Sequence, residues 1–257
     1  MTKAIFITGA GAGIGAATAR RLASHGWKVG LYDIDFDAVT QLAAELGPDK
    51  ARAGQLDVTS EADWQRCLTD FYGWQNRLDV LLNNAGILYS GHFESIAAHD
   101  YARLLEINVH GVVLGCQTAL PYLRQTPHSR VINLSSASAI YGQASLAVYS
   151  ASKFAVRGLT EALDNEWQPY GIRVMDILPF FVKTAMLENM DAASVRKVSM
   201  RQTPEDVAQV IERAATSNPK FAPTHWPVGL AVKLLGSISS VSPDRVNRLV
   251  NGWLATD

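Results

Sequence analysis

Residues 4–15 constrain what this chain can fold into more than any other stretch. Ala4-Ile5-Phe6-Ile7 is a short apolar run of the kind a buried parallel strand needs. Thr8-Gly9-Ala10-Gly11-Ala12-Gly13-Ile14-Gly15 follows at once, and residues 16–23 read as a helix. Glycines at a strand-to-helix turn let the backbone bend tightly and approach a pyrophosphate. The helix N-terminus behind them offers unpaired N–H groups. The same alternation continues along the chain. Strands are expected at 4–7, 28–32, 51–55, 78–82, 130–134 and 172–178, and helices at 14–25, 36–46, 60–73, 98–124, 148–168 and 204–217. This order predicts an α/β fold, a doubly wound parallel sheet with helices on both faces. At 257 residues and 48% hydrophobic content, the chain can bury such a core as one domain over 1–257.

The second strand ends at Asp33, about 20 residues after Gly13. A carboxylate there can hydrogen-bond the 2′-hydroxyl of an adenine ribose. A 2′-phosphate would meet like charge, and no Lys or Arg lies within 9–17 or at position 34 to offset it. The cofactor expected is therefore NAD. Asp33 could alternatively cap the helix that begins at 35–36.

Tyr149 and Lys153 stand at i and i+4, with Ser136 upstream. On a helix such a pair shares one face. A free phenol, with a pKa of about 10, gives up its proton poorly near neutrality, and a nearby cation lowers that value. A hydroxyl such as Ser136 could hold a substrate oxygen against the phenol. The three read as acid/base machinery for an alcohol or a carbonyl.

With these residues in hand, the chain resembles the short-chain dehydrogenase/reductase family over residues 2–184. The motifs that carry the resemblance are Thr8-Gly9-x-x-x-Gly13-Ile14-Gly15, Asp57-Val58, Asn83-Asn84-Ala85-Gly86, Ile107-Asn108-Val109, Ser135-Ser136 and Tyr149-x-x-x-Lys153, in family order. The resemblance implies a Rossmann-like domain and a tetrad of Asn108, Ser136, Tyr149 and Lys153. Tyr149 would be the general acid/base, and Ser136 would orient the substrate oxygen. Lys153 would hold the nicotinamide ribose, and Asn108 a water that links Lys153 to solvent. Gly9, Gly13, Ile14 and Gly15 would cradle the cofactor, Asp57 and Val58 would meet the adenine, and Asn84, Ala85 and Gly86 would run along it. Pro179, Val182 and Thr184 would meet the carboxamide. Simpler roles stay open: Asn108 could kink its long helix, Asn83-Asn84 could form a turn, and Ser135 reads as structural.

The chain departs from the family pattern at Phe180, where a glycine is usual. Phe180 must accept that backbone, and its ring is expected to line the substrate pocket with Tyr89, Ser138, Ile140 and Met186. Residues 185–200 are expected to form a lid, and 219–257 a variable extension shaping the pocket or a dimer. The apolar stretch 230–241 gives no basic face for membrane contact. Many tetrameric members of the family end in a glycine-rich segment that packs between subunits; none is present here, so the resemblance implies a homodimer rather than a tetramer.

A net charge of −1 gives no electrostatic case for nucleic acid. Cys67 and Cys116 form no motif and are expected to be reduced, and the histidines form no metal cluster. A strand within four residues of Met1 leaves no room for a signal peptide, and no apolar run of about 20 residues is present, so a cytoplasmic protein is expected. The partner expected is a small hydrophobic alcohol or its carbonyl counterpart.

Overall fold

Alternation of side chains within each strand builds the fold. The computed structural model describes residues 2–184, 202–230 and 232–234. Strand β1 (Ala4–Thr8) is wholly buried. Successive side chains of a strand point to opposite faces. Ile5 and Ile7 therefore enter one core and Ala4 and Phe6 another. The first core receives helices α1 (Gly13–Ser24), α2 (Phe36–Leu46) and α7 (Pro204–Thr216). The second receives α3 (Glu61–Gln75), α5 (Gly111–Leu123) and α6 (Ala147–Glu166). Phe6 stacks on Tyr32 at 3.9 Å between ring centroids, with Trp64 and Phe71 around it.

Between these layers lie β2 (Lys28–Asp33), β3 (Ala51–Gln55), β4 (Val80–Asn83), β5 (Arg130–Leu134), β6 (Arg173–Leu178) and β7 (His225–Pro227). All pair in parallel, in the order β3-β2-β1-β4-β5-β6-β7. The winding reverses between β1 and β4. In an open sheet, the crevice outside the strand C-termini at that reversal is where ligands bind.

The sequence reading differs from this architecture in two places. The helix expected over 98–124 is divided: α4 (Ala98–Leu105) and α5 are joined by a π-helical turn, Glu106–His110, in which the Gly111 N–H reaches the Glu106 carbonyl. The seventh strand has no counterpart among the expected elements. It has three residues and ends at Pro227, too short for an alternating pattern to show. The lid expected at 185–200 and most of the extension lie outside the described residues. Of the extension, Val228 joins the first core, and Val232 packs with Leu178, Ala137 and Ala139.

Strand β7 is held by an ionic contact at the sheet edge. His225 Nδ1 lies 2.8 Å from Asp176 Oδ1 and Nε2 lies 3.0 Å from Glu161 Oε1. The hydrogen bond to Asp176 raises the imidazole pKa, and burial raises that of Asp176. Arg157 opposes the first shift and Glu161 adds to it. A group whose folded pKa is raised binds its proton more tightly when folded. Its stabilisation is complete below the unfolded pKa, about 6.5 for histidine, and fades as pH climbs through the folded value. The Asp176 shift carries the same sign but sets in from about pH 4, so the fall above about pH 6.5 belongs to the imidazole. The melting temperature is therefore expected to fall as pH rises above about 6.5. His225→Gln should flatten that fall, as thermal denaturation across the pH range would show.

Candidate active site

The glycine turn is shaped by contacts that leave no room for side chains. Gly9 has φ +63°, and a Cβ there would stand 2.8 Å from Ala85 Cα. A Cβ at Gly15 would stand 2.1 Å from the Gly9 carbonyl oxygen. Asn84 binds this turn to the end of β4: its Nδ2 donates to the Thr8 and Gly9 carbonyls, each at 2.9 Å. The Thr8 hydroxyl accepts from the Asn84 and Ala85 N–H groups at 3.0 Å. Asn83 points the other way and donates to Asn133 Oδ1 at 2.9 Å inside the second core.

Asp33 does not cap α2. That role belongs to Asp35, whose carboxylate accepts from the Ala38 N–H at 3.0 Å. Asp33 Oδ2 instead accepts from the Gly11 N–H at 2.9 Å, and Oδ1 from the Asp35 N–H at 3.0 Å. The carboxylate is thus fixed beside the glycine turn. Asp57 accepts from the Thr59 N–H and hydroxyl, at 2.9 and 2.7 Å, ahead of α3.

A cavity of about 680 Å³ runs across the strand C-termini. At one end it is lined by Gly9, Gly13, Ile14, Asp33, Asp57 and Val58, with Asn84, Ala85 and Gly86 along its length. At the other end stand Ser136, Ser138, Tyr149, Lys153, Pro179 and Phe180; Val182 also lines the cavity, and Thr184 lines it against the glycine turn, its Cγ2 3.2 Å from where a Cβ at Gly13 would stand. Gly15 lies behind the turn it supports. The two groups of residues picked from the sequence therefore meet in one crevice.

Tyr149 and Lys153 lie on α6, with the Lys153 Nζ 5.5 Å from the Tyr149 ring centroid. Lys153 Nζ donates to the Leu134 carbonyl at 2.9 Å. Burial dominates both groups: it pushes the phenol up to about 12 and the ammonium down to about 8. A hydrogen bond with Ser136 works against the shift of the phenol. Ser136 accepts from the Ser138 N–H at 3.1 Å, which fixes its oxygen. Ser135 is structural, its hydroxyl donating to the Lys153 carbonyl at 3.3 Å.

Asn108 sits in the π-helical turn and is buried. Its amide clasps Ile87, accepting from the N–H at 2.8 Å and donating to the carbonyl at 2.9 Å, and also donates to Ser152 Oγ at 3.3 Å. A Cβ at Gly86 would stand 3.1 Å from Asn108 Oδ1 and 3.8 Å from Lys153 Nζ. The π-turn thus brings the loop after β4 against Lys153.

The five expected substrate residues separate into three cases. Ser138 and Phe180 line the cavity, and Met186 lies outside the described residues. Tyr89 and Ile140 are not among the described lining residues. Leu88, the residue before Tyr89, lines the cavity, and Ile140 and Phe180 each pack against the cluster holding Leu178 and Val232. Among described non-glycine residues, positive φ is confined to Asn76, His128 and Ser145, so Phe180 needs no left-handed backbone. Gln202 holds it, accepting from the Phe180 N–H at 3.0 Å. Ile34, Ile107, Gln143 and Phe181 also line the cavity and were not singled out. Ile34 was within reach, since it follows Asp33 at a strand C-terminus. Gln143 lies in a loop with no periodicity to mark it.

The residues at the glycine end fit a dinucleotide: two turn glycines have no space for a Cβ, and a fixed carboxylate stands beside them. The opposite end offers a phenol, a hydroxyl and an ammonium that can hold an oxygen and move a proton.

Comparison with known proteins agrees with this geometry. The short chain dehydrogenase family profile matches residues 3–194. A 3-alpha-(or 20-beta)-hydroxysteroid dehydrogenase of Mycobacterium tuberculosis is 38% identical over 186 residues, covering 72% of this chain and 71% of that protein. A 3-beta-hydroxysteroid dehydrogenase of Comamonas testosteroni is 38% identical over 205 residues, 79% and 80% of the two chains. Among solved structures, a 3-ketoacyl-(acyl-carrier-protein) reductase from Brucella melitensis complexed with NADH superposes with a TM-score of 0.82 at 28% identity, covering 88% of this chain and 96% of that one.

Proposed function

The chain belongs to the short-chain dehydrogenase family, and from that premise we propose an NAD(H)-dependent oxidoreductase that interconverts a hydrophobic secondary alcohol and its ketone. The observation that carries this reading is the convergence of Asp33 and the Tyr149–Ser136–Lys153 group on one cavity. Bound at the glycine turn, the nicotinamide cofactor supplies the hydride acceptor or donor. The protein supplies position and proton transfer. Ser136 holds the substrate oxygen. Tyr149 gives that oxygen its proton in reduction and takes it in oxidation. Lys153 favours the phenolate by its charge, and Asn108 keeps the Gly86–Ile87 segment in place beside it. Leu88, Phe180 and Phe181 supply an apolar wall for the substrate, in keeping with the hydroxysteroid dehydrogenases among the relatives. Leu105 on α4 and Phe154 on α6, exposed at 42% and 44%, support pairing of two copies through these helices.

The test is absorbance at the NADH band with apolar and small polar alcohols, each with NAD⁺ and with NADP⁺. Apolar alcohols and NAD⁺ are expected to win, and preference for small polar alcohols or for NADP⁺ would overturn the corresponding part. Like charges about 4 Å apart cost on the order of 4 kcal/mol near a protein surface, so NADH should bind at least about 100-fold more tightly than NADPH. Asp33→Ala should bring the two dissociation constants towards each other, chiefly by tightening NADPH.

A further inference from the structure

We propose that Ser138 is a positioning residue that directs the Ser136 hydroxyl: it accepts the Ser136 O–H until a substrate oxygen claims that donor, and then donates to Ser136 in return. This deepens the oxidoreductase reading of the same site and rests on it. The two serines belong to the single helical turn after β5, with Ser136 capping it and Ser138 in its middle. Two contacts join them. The Ser138 N–H donates to Ser136 Oγ at 3.1 Å, and the Ser136 hydroxyl donates to Ser138 Oγ at 3.2 Å. Ser136 also shares a hydrogen bond with the Tyr149 phenol. The hydroxyls of Ser138, Ser136 and Tyr149 are thus linked in sequence, and the two serines are buried, at 3% and 8% exposure.

The backbone contact alone fixes where the Ser136 oxygen stands, so an alanine at 138 would build the same turn. Ala137 and Ala139 complete that turn with methyl groups packed in the core beneath. Of the three residues, Ser138 alone lines the cavity. Its hydroxyl is not needed by the turn, and the group it meets is Ser136. A hydroxyl has one proton to donate and two lone pairs to accept with. Carbonyl reduction asks Ser136 to aim its proton at the substrate oxygen, where negative charge develops. Aimed there, Ser136 withdraws its proton from Ser138 and turns a lone pair towards it. Ser138 can then donate to Ser136 across the same contact. Inside a protein, a donor that itself accepts a hydrogen bond is polarised and donates more strongly. The exchange needs only the rotation of two hydroxyl hydrogens. Ser138 therefore acts through Ser136, whether or not it touches the substrate.

The experiment follows reduction of cyclohexanone by NADH in the wild type, Ser138→Ala, Ser136→Ala and the double variant. Ser138→Ala should lower kcat roughly 3- to 10-fold, as loss of one hydrogen bond would, and leave KM within about twofold. Ser138→Thr, which returns a hydroxyl, should recover most of that loss. In the Ser136→Ala background, Ser138→Ala should cost nothing further, because the group it acts through is gone. Ser138→Cys, a weaker donor of similar shape, replaces the alanine variant if that one does not fold. A second readout needs no turnover. It is the infrared carbonyl stretch of isotope-labelled cyclohexanone on the protein saturated with NAD⁺, where no hydride is available. Hydrogen bonds to a carbonyl lower this frequency. The band should lie lowest in the wild type and rise in Ser138→Ala. It should rise further, and to one value, in Ser136→Ala and the double variant. In an active enzyme, a Ser138→Ala variant that keeps the wild-type kcat or the wild-type band overturns the proposal. So does a loss that is equally large in the Ser136→Ala background. A wild-type band no lower than that of Ser136→Ala overturns it together with the role given to Ser136. Failure of cyclohexanone to turn over, with the order of the bands intact, would sink the oxidoreductase reading and leave this one standing.

Discussion

Tyr149→Phe is expected to lower kcat for alcohol oxidation by about 10³-fold, within the range that general acid–base groups contribute. The phenylalanine ring fills the same space, so affinity for NADH should change little. The pH dependence separates loss of a proton-transfer group from loss of a packing residue. Burial pushes the Tyr149 phenol up to about 12 and lowers the Lys153 ammonium to about 8. At neutral pH the phenol is therefore protonated in the unliganded protein, ready as an acid for reduction. Oxidation needs the phenolate, so its rate should climb with pH in the wild type. Positive charge brought close to the phenol would move that climb to lower pH. In Tyr149→Phe the climb should vanish along with most of the rate. A variant that retains both would mean that another group moves the proton.

The two halves of this site were legible in the sequence for different reasons. The glycine turn and the Tyr149–Lys153 pair are short-range patterns, and their geometry follows from one turn and one helix. Asp33 was legible because a strand end fixes where its carboxylate goes, and the structure removes the capping alternative by giving that role to Asp35. The substrate wall was less legible because it depends on register. One residue separates Leu88, which lines the cavity, from Tyr89, which does not. In the single turn Ala137–Ala139, Ser138 reaches the cavity while its two neighbours join the core beneath. Nothing in the sequence around Tyr89 and Ile140 sets the direction of their side chains. Asn108 was placed in the tetrad by resemblance. Its clasp on Ile87 depends on a π-turn that periodicity cannot distinguish from uninterrupted helix. Strand β7 was missed because its pairing comes from β6, and three residues carry no period of their own.

Gly15→Ala should disable the cofactor site with a single methyl group. The added Cβ would stand 2.1 Å from the Gly9 carbonyl oxygen and 2.8 Å from Asn84 Nδ2. Neither neighbour can yield cheaply. The carbonyl is backbone, and it accepts from the same Asn84 amide that also holds the Thr8 carbonyl. Moving it withdraws Gly9 from Ala85, and so separates the glycine turn from the loop after β4. That loop leads to Ile87, which Asn108 clasps beside Lys153. One clash is thus transmitted from the phosphate end of the crevice towards the acid/base end. Overpacking of this kind typically costs about 1–3 kcal/mol of stability. The effect on NADH should be larger in proportion, because the displaced atoms are the cradle itself: a loss of at least about 100-fold in affinity corresponds to about 2.7 kcal/mol. Gly73→Ala is the control. Gly73 lies within α3, where a Cβ would meet nothing within 4 Å. There the same substitution should raise stability by about 0.5–1 kcal/mol and leave NADH binding unchanged. Thermal denaturation and NADH titration of both variants give opposite signs for stability if the crowding at Gly15, and not the loss of a glycine as such, sets the outcome.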